Sequence, residues 1–327
     1  MGNILTITTR GEGQESIHRG HIAVVKSDGE TLFGYGDPNF KTFFRSAMKP
    51  IQAAIVLESG AIDKFKFSVK ELAIIAASHS GEAKHIQLVE SILKKGGIPQ
   101  SYLHCGKTLP FYGPASRRLV KKGLSEKSIY HNCSGKHAGI LAATKLLGLD
   151  YKNYFSIKNE IQKLIILLLN KYSGVSIDDM SFGIDGCGLP NVALPLQAMA
   201  LTFARMADEF GKSSVGKIGK IMSENPWIIA GTNRVDTELM EYFKGSVIVK
   251  GGAEGLLCIA IPNKKIGIAI KCEDGSHRPL PIIAVALLEK LGLLKKDDLQ
   301  TLKKKFPPWY FIFNSRNSAV GEIISKI

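Results

Sequence analysis

A serine and a lysine three positions apart are the sharpest chemical signal in the sequence. They are Ser46 and Lys49, in the stretch RSAMKP at residues 45–50. Residues at positions i and i+3 share one face of a helical turn, and a lysine whose pKa is lowered by burial can accept the proton of a serine hydroxyl. Pro50 restricts the pair to the start of a helix and disfavours helical geometry at Lys49. The pair indicates a serine nucleophile with a lysine base; a surface serine and lysine are the alternative.

A second lysine motif lies about 200 residues further on, where Lys250, Gly251 and Gly252 end a predicted strand. The order S-x-x-K and then K-T-G is typical of class A β-lactamases and penicillin-binding proteins, and this KGG stretch is similar to the second of those boxes. The S-D-N box of that enzyme class has no match. Two elements in the right order still favour a serine–lysine enzyme.

Three loops are rich in small and reactive residues. They are SHSG at 78–81, NCSGKHAG at 132–139 and DGCGLP at 185–190. The first breaks two predicted helices, and Ser80 is equally interpretable as the N-cap of the helix that follows. The other two each carry a cysteine, Cys133 and Cys187, which suggests one site assembled from both loops.

The five cysteines do not show the spacing of a zinc site, because neither C-x-x-C nor H-x-x-x-H occurs. Thiolates suit Zn²⁺ if Cys133 and Cys187 meet in space, but the sequence alone favours free thiols there. Cys258 and Cys272 lie in strand patterns and are interpreted as core residues, and Cys105 is left open. An odd, sparse set of cysteines argues against a disulfide framework and for a reducing compartment.

The elements that must position these residues follow the order strands, helices, strands. Strands at 22–25 and 31–35 flank the hairpin turn signal at Asp28-Gly29. Helical patterns then follow, including one that starts with a capping box at Ser68 and Glu71. Strands at 247–250, 256–261 and 266–272 come last. This order predicts an α+β fold within one domain at 1–327, with a sheet lobe at roughly 1–44 and 245–327 and a helical lobe at roughly 45–244. A cleft between the lobes would hold a small molecule.

Composition excludes several classes of protein. The chain has 327 residues, 45% hydrophobic and 22% charged, which is ordinary for a packed protein and wrong for a disordered one. Its net charge of +14 comes from basic residues scattered in short runs, so a nucleic-acid surface is the less favoured interpretation. No stretch has the pattern of a signal peptide or a membrane span. We therefore expect a cytoplasmic protein with no membrane partner.

Six motifs together resemble one family, the serine-dependent, zinc-associated L-asparaginases of the rhizobial type (asparaginase II), which have a β-lactamase-like fold. They occur in family order over roughly residues 19–278, and no counterpart is evident for the tail after Leu291. The motifs are RSAMKP (45–50), ASHSGE (77–82), NCSGKHAG (132–139), DGC (185–187), TNRVDT (232–237) and KGGAEG (250–255).

The resemblance implies roles that spacing does not provide. The catalytic residues would be two Ser–Lys pairs, Ser46 with Lys49 and Ser78 with Lys250. Zinc would be held by Cys133, Lys136 and Cys187, which reverses the preference for free thiols, and Arg45, His137 and Asp185 would line the substrate site. A homodimer is also implied.

The expected reaction is hydrolysis of L-asparagine to L-aspartate and ammonia, with Ser46 as nucleophile, Lys49 as base, and Lys250 and Ser78 as the proton relay. The roles of the two serines could be exchanged. Glutaminase activity differs by one methylene, and a binding or sensor protein without turnover is the alternative from another class.

Overall fold

Strands from the first and last thirds of the chain form one antiparallel sheet in the computed structural model, which describes residues 1–327. The strands are β1 (Asn3–Arg10), β2 (Gly13–Lys26), β3 (Thr31–Tyr35), β4 (Lys41–Phe43), β5 (Ser181–Ile184), β6 (Pro190–Pro195), β7 (Ile248–Gly252), β8 (Leu256–Ile261), β9 (Ile266–Cys272), β10 (Phe311–Phe313) and β11 (Ala319–Ser325). The order of strands in the large sheet is β10-β11-β1-β2-β9-β8-β7, with β3 paired to β2. A separate three-stranded sheet has the order β4-β6-β5.

Helices occupy most of the chain between these strands. They are α1 (Lys49–Glu58), α2 (Ala61–Lys64), α3 (Val69–Ile75), α4 (Ala83–Gly96), α5 (Gly113–Lys121), α6 (Ser134–Leu146), α7 (Glu160–Ser173), α8 (Leu196–Asp208), α9 (Ser214–Glu224), α10 (Pro226–Ile229), α11 (Val235–Tyr242), α12 (Leu280–Lys290) and α13 (Lys296–Lys305). The sheet built from both parts of the chain and the helices packed against it confirm the predicted α+β class. None of these helices has the length and apolar composition needed to cross a membrane.

Local signals that the sequence carried are present as predicted. The turn at Asp28-Gly29 joins β2 to β3, whose register pairs Val25 with Thr31. In the capping box, the Glu71 N–H donates to Ser68 Oγ at 3.3 Å and the Ser68 N–H donates to Glu71 Oε2 at 2.6 Å. Each of these contacts depends only on residues a few positions apart, which is why sequence reasoning finds them.

Helix α8 packs against the sheet, across strands β2, β8 and β9. The approach is so close that a Cβ at Gly267, on β9, would lie 1.9 Å from the Ala200 carbonyl oxygen on α8. Phe203, which is also on α8, packs against Phe44 with ring centroids 6.3 Å apart. Buried apolar side chains of the sheet and the helices form one continuous core, which fixes the sheet edge at β7 relative to the helices.

The tail after Leu291, to which the sequence assigned no individual elements, contains α13, β10 and β11, and β11 pairs with β1 in the register Thr6 to Ser325. Two features differ from the sequence predictions. Lys49 has helical backbone angles (φ −56°, ψ −34°) and begins α1 in spite of Pro50. Ser80 is not an N-cap: α4 begins at Ala83, and Ser80 Oγ instead donates to the Ala230 carbonyl at 2.7 Å.

Candidate active site

A cleft of about 470 Å³ lies where the edge strand β7 faces the helices. Ser46 and Ser78 both line it, so the structure brings together the two serines that the sequence singled out. Its walls also include Phe111, Asn132, Asn233, Arg234, Val235, Asp236, Gly251, Gly252, Ala253, Leu257, His277 and Leu280.

Lys49 contacts Ser78 rather than Ser46. It is the first residue of α1 and is fully buried, and its Nζ donates to Ser78 Oγ and to the Ala77 carbonyl, each at 2.8 Å. A third acceptor is the Asn132 carbonyl at 3.3 Å. A buried ammonium needs several hydrogen-bond acceptors. The Ser78 hydroxyl and the two carbonyls provide three, whereas the Ser46 hydroxyl alone would provide one. The expected hydrogen bond between Ser46 and Lys49 is therefore absent.

Lys250 reaches the same hydroxyl from the sheet. Its Nζ donates to Ser78 Oγ at 2.8 Å and to the Gly251 carbonyl at 2.9 Å, and lies 3.6 Å from Asp236 Oδ1. Burial lowers the pKa of Lys250 to about 8, although the Asp236 carboxylate opposes the shift. Burial also lowers the pKa of Lys49. Ser78 thus lies between two amines that lose a proton more easily than ordinary lysines do.

Ser46 lies in a single 3₁₀ turn at residues 45–48, immediately before α1. It is partly exposed to the cleft, and its hydroxyl makes no hydrogen bond within the protein. The preceding residue, Arg45, has a left-handed backbone (φ 50°) that is rare outside glycine. The Arg45 N–H donates to Asn191 Oδ1 at 3.0 Å and its Nε donates to Asp185 Oδ1 at 2.7 Å, and these contacts hold the strained turn in place.

Cys133, Lys136 and Cys187 meet behind Asn132. Cys133 directly precedes α6, Lys136 is in the first turn of α6, and Cys187 lies in the loop between β5 and β6. Lys136 Nζ donates to Cys187 Sγ at 3.1 Å, and Cys187 Sγ lies 3.6 Å from Asp185 Oδ2. All three side chains are buried. The structure holds no group of three His, Cys, Asp or Glu side chains placed to bind a metal, so a metal here requires the lysine as third donor.

The members of this cluster shift one another's pKa values. The hydrogen bond with Cys187 lowers the pKa of Cys133 well below its ordinary value, and the same bond raises that of Cys187. Burial acts against the charged form of Lys136, but the two neighbouring sulfur atoms outweigh it and raise its pKa. Two neighbouring thiols and an amine that donates to one of them are a chemically suitable donor set for Zn²⁺. A bound metal would have to displace the proton from the amine.

The predicted substrate residues surround this cluster and do not line the cleft itself. Arg45 and Asp185 form an ion pair at 2.7 Å. His137 is buried, and its Nδ1 contacts the Tyr154 hydroxyl at 2.5 Å, while its Nε2 is buried without a partner. Burial lowers the pKa of His137 well below its ordinary value, so the ring is neutral.

Sequence reasoning assigned no role to Arg234, Asp236 or His277, although all three line the cleft. Asp236 Oδ1 accepts a hydrogen bond from the Gly251 N–H at 2.7 Å, which ties α11 to the lysine strand β7. The signal available in the sequence for Arg234 and Asp236 was the pair of opposite charges in the stretch TNRVDT at 232–237.

A family model of L-asparaginase II matches residues 6–325. The chain belongs to the L-asparaginase II family. The match confirms the resemblance and corrects its extent, since it continues from residue 278 through the C-terminal strands. Membership of this family supports a hydrolase that acts on amides. No curated protein matches the sequence.

Solved structures similar to this asparaginase II chain share little sequence with it. A β-lactamase from Mycobacterium bovis is 12% identical over 83% of this chain and 94% of its own, with a TM-score of 0.45. A protein named Mglu is 13% identical over 84% of this chain, which spans 61% of Mglu, with a TM-score of 0.39. Simvastatin synthase from Aspergillus terreus is 11% identical over 78% of this chain and 86% of its own, with a TM-score of 0.38.

Proposed function

We propose that the protein hydrolyses the side-chain amide of L-asparagine, giving L-aspartate and ammonia through a serine acyl-enzyme. The observation that carries the proposal is the Ser78 hydroxyl, which receives hydrogen bonds from Lys49 and Lys250 at 2.8 Å each in a cleft that Ser46 also lines. Two buried amines with lowered pKa around a hydroxyl form a route for protons, which amide hydrolysis requires.

In this proposal Ser46 Oγ forms the bond to the amide carbon, and Lys49 in its neutral form takes the hydroxyl proton. Ser78 passes a proton to the leaving nitrogen, with Lys250 on its other side, and the C–N bond breaks to release ammonia. Water then attacks the ester, and aspartate leaves as Ser46 regains its proton. Hydrogen bonds in a free enzyme are often longer than in the substrate complex, so Lys49 need not contact Ser46 before substrate binds. Backbone N–H groups near Ser46 and β7 would stabilise the oxyanion.

The exchanged assignment, with Ser78 as nucleophile, is favoured by one observation: Lys49 and Lys250 both contact Ser78 and neither contacts Ser46. Intact-mass analysis of rapidly quenched Ser46→Ala and Ser78→Ala reactions separates the two. We expect Ser46→Ala to form no acyl adduct and Ser78→Ala to form one slowly. The reverse pattern would assign the nucleophile to Ser78. Ser315→Ala, at an exposed serine, is the matched control.

Cys133, Lys136 and Cys187 would hold Zn²⁺ as two thiolates and a neutral amine. When bound, the metal would supply a Lewis acid for substrate positioning, since three protein ligands leave one coordination position open. Elemental analysis of the purified protein, with thiol titration before and after chelation, tests this assignment. Metal-free protein with both thiols reactive would contradict it.

Ammonia release from L-asparagine and L-glutamine distinguishes the remaining functions. One methylene in a pocket is worth about 1–3 kcal/mol, so we expect measurable but unequal rates that favour asparagine. A glutamine preference would make the protein a glutaminase, and no release from either amide would leave a binding protein. The five free, buried cysteines support a reducing, cytoplasmic location. That location and the homodimer stay predictions.

A further inference from the structure

The cleft carries one cation that forms no ion pair with a protein carboxylate, although its charge still acts on the nearby Asp236 carboxylate and lowers the pKa of that group. Among the residues that line it, Arg234 alone has a side chain that is cationic at neutral pH. It has no carboxylate within ion-pair distance, and its only hydrogen bond is a long one of 3.5 Å, from a guanidinium nitrogen to Ser80 Oγ. Burial and the charge of Arg234 itself lower the pKa of His277, so that ring is neutral.

The other charged groups near the cleft already have partners. Arg45 is paired with Asp185 at 2.7 Å. Lys49 and Lys250 are buried and hydrogen-bonded to Ser78 and to backbone carbonyls. The Asp236 carboxylate accepts the Gly251 N–H and lies beside Lys250. An anionic group that enters the cleft therefore finds Arg234 as the cation available to bind it.

The loop that carries Arg234 is fastened to the loop that carries Ser78. Glu82 follows Ser78 by four positions, and its carboxylate accepts hydrogen bonds from the Thr232 N–H and the Thr232 hydroxyl, each at 2.8 Å. Gly231 has a φ of 109°, and a Cβ there would lie 2.6 Å from Glu82 Oε1. The carboxylate therefore holds the backbone next to Arg234 at a fixed position relative to the serine.

We infer that Arg234 binds the α-carboxylate of the substrate while the scissile amide lies at the serines. The inference rests on the proposed function for the identity of the substrate. An arginine and a carboxylate form two parallel charge-assisted hydrogen bonds, and the α-carboxylate is at the end of asparagine opposite its side-chain amide. Arg234 thus raises the efficiency of the enzyme for amides that carry a carboxylate above that for amides that lack one.

The test compares L-asparagine with 3-aminopropanamide, which lacks the α-carboxylate. For Arg234→Gln we expect kcat/KM for L-asparagine to fall about 10- to 100-fold, mainly through KM, because a hydrogen bond to a charged group is lost. Activity on 3-aminopropanamide should stay unchanged, and Arg234→Lys should recover part of the loss. Arg118→Gln, at an exposed arginine on α5, is the matched control. Equal losses on both amides in Arg234→Gln would overturn the inference.

Calorimetric titration with L-aspartate provides a measurement that does not depend on turnover. Weaker binding to Arg234→Gln than to wild type supports the inference even if wild type releases no ammonia, in which case only the proposed function fails. Binding of equal strength to both proteins, or no binding to wild type, overturns the carboxylate role.

Discussion

Replacing Lys250 by methionine should change how the stability of the protein depends on pH. Burial lowers the pKa of this lysine from 10.5 to about 8 in the folded protein. The unfolded chain, in which the lysine is solvated, therefore holds one more proton than the folded chain between pH 8 and pH 10.5. The free energy of unfolding of wild type must therefore rise as the pH increases from 8 to 10.5. Below pH 8 the folded protein carries the full free-energy cost of burying the Lys250 ammonium.

The size of the effect follows from the same two values. Each pKa unit is worth about 1.4 kcal/mol, so the contribution of Lys250 amounts to about 3 kcal/mol over the window. In Lys250→Met this contribution is absent. In the variant Asp236 loses the charge of Lys250 but keeps the Gly251 N–H and the charge of Arg234, both of which lower its pKa. We therefore expect it to stay ionised from pH 7 upwards, so that its contribution does not vary with pH. We expect the difference in unfolding free energy, wild type minus variant, to increase by about 3 kcal/mol between pH 7 and pH 10.5.

Urea unfolding at half-unit pH intervals, with a reductant present, measures this difference. Titration of the cysteines and tyrosines on which the charge of Lys250 does not act occurs in both proteins and cancels in the difference. Lys70→Met, which replaces a solvent-exposed lysine on α3, is the matched control. A difference that stays constant with pH, or one equally large for Lys70→Met, would refute the argument that Lys250 is held as an amine with lowered pKa.

Three further predictions concern other parts of the molecule. Gly231→Ala should lower stability by about 1–3 kcal/mol and raise KM for L-asparagine, because the added Cβ meets the Glu82 carboxylate; unchanged urea midpoints and KM would contradict it. Ser68→Ala should cost about 1 kcal/mol in urea unfolding through loss of the cap of α3, with kcat unaffected. Cys187→Ala should purify with much less zinc than wild type by elemental analysis, and equal zinc content would remove Cys187 from the proposed ligands.

Sequence reasoning succeeded where the controlling interactions are local. The capping box at Ser68 and Glu71 and the hairpin turn at Asp28-Gly29 involve residues within four positions of each other. It placed the segments of β1 and β11 in the sheet lobe but did not identify the two strands or their pairing. That pairing joins Thr6 to Ser325, and a contact between residues so far apart in the sequence leaves no local signal.

For the site, the sequence identified residue types better than contacts. Ser78 and Lys250 were paired through family resemblance, and the structure places them 2.8 Å apart. The Ser46–Lys49 interaction was inferred from spacing, which did not predict that Ala77 and Asn132 would offer better acceptors to a buried ammonium. Arg234 was overlooked because the sequence does not show which arginines lack an ion-pair partner. That lack is a property of the folded cleft.

Because β1 pairs with β11, the large sheet cannot be completed until the end of translation. The helical segment at roughly 45–244 is contiguous and is synthesised before strands β7 to β11, although α8 can complete its packing only when β8 and β9 are present. The large sheet must wait, since the partners of β1 and β2 include strands made near the end of translation. In a nascent chain that stops before residue 311, one edge of β1 stays unpaired and able to associate with other chains. We therefore expect truncated products to be prone to aggregation even though most of the helices are present.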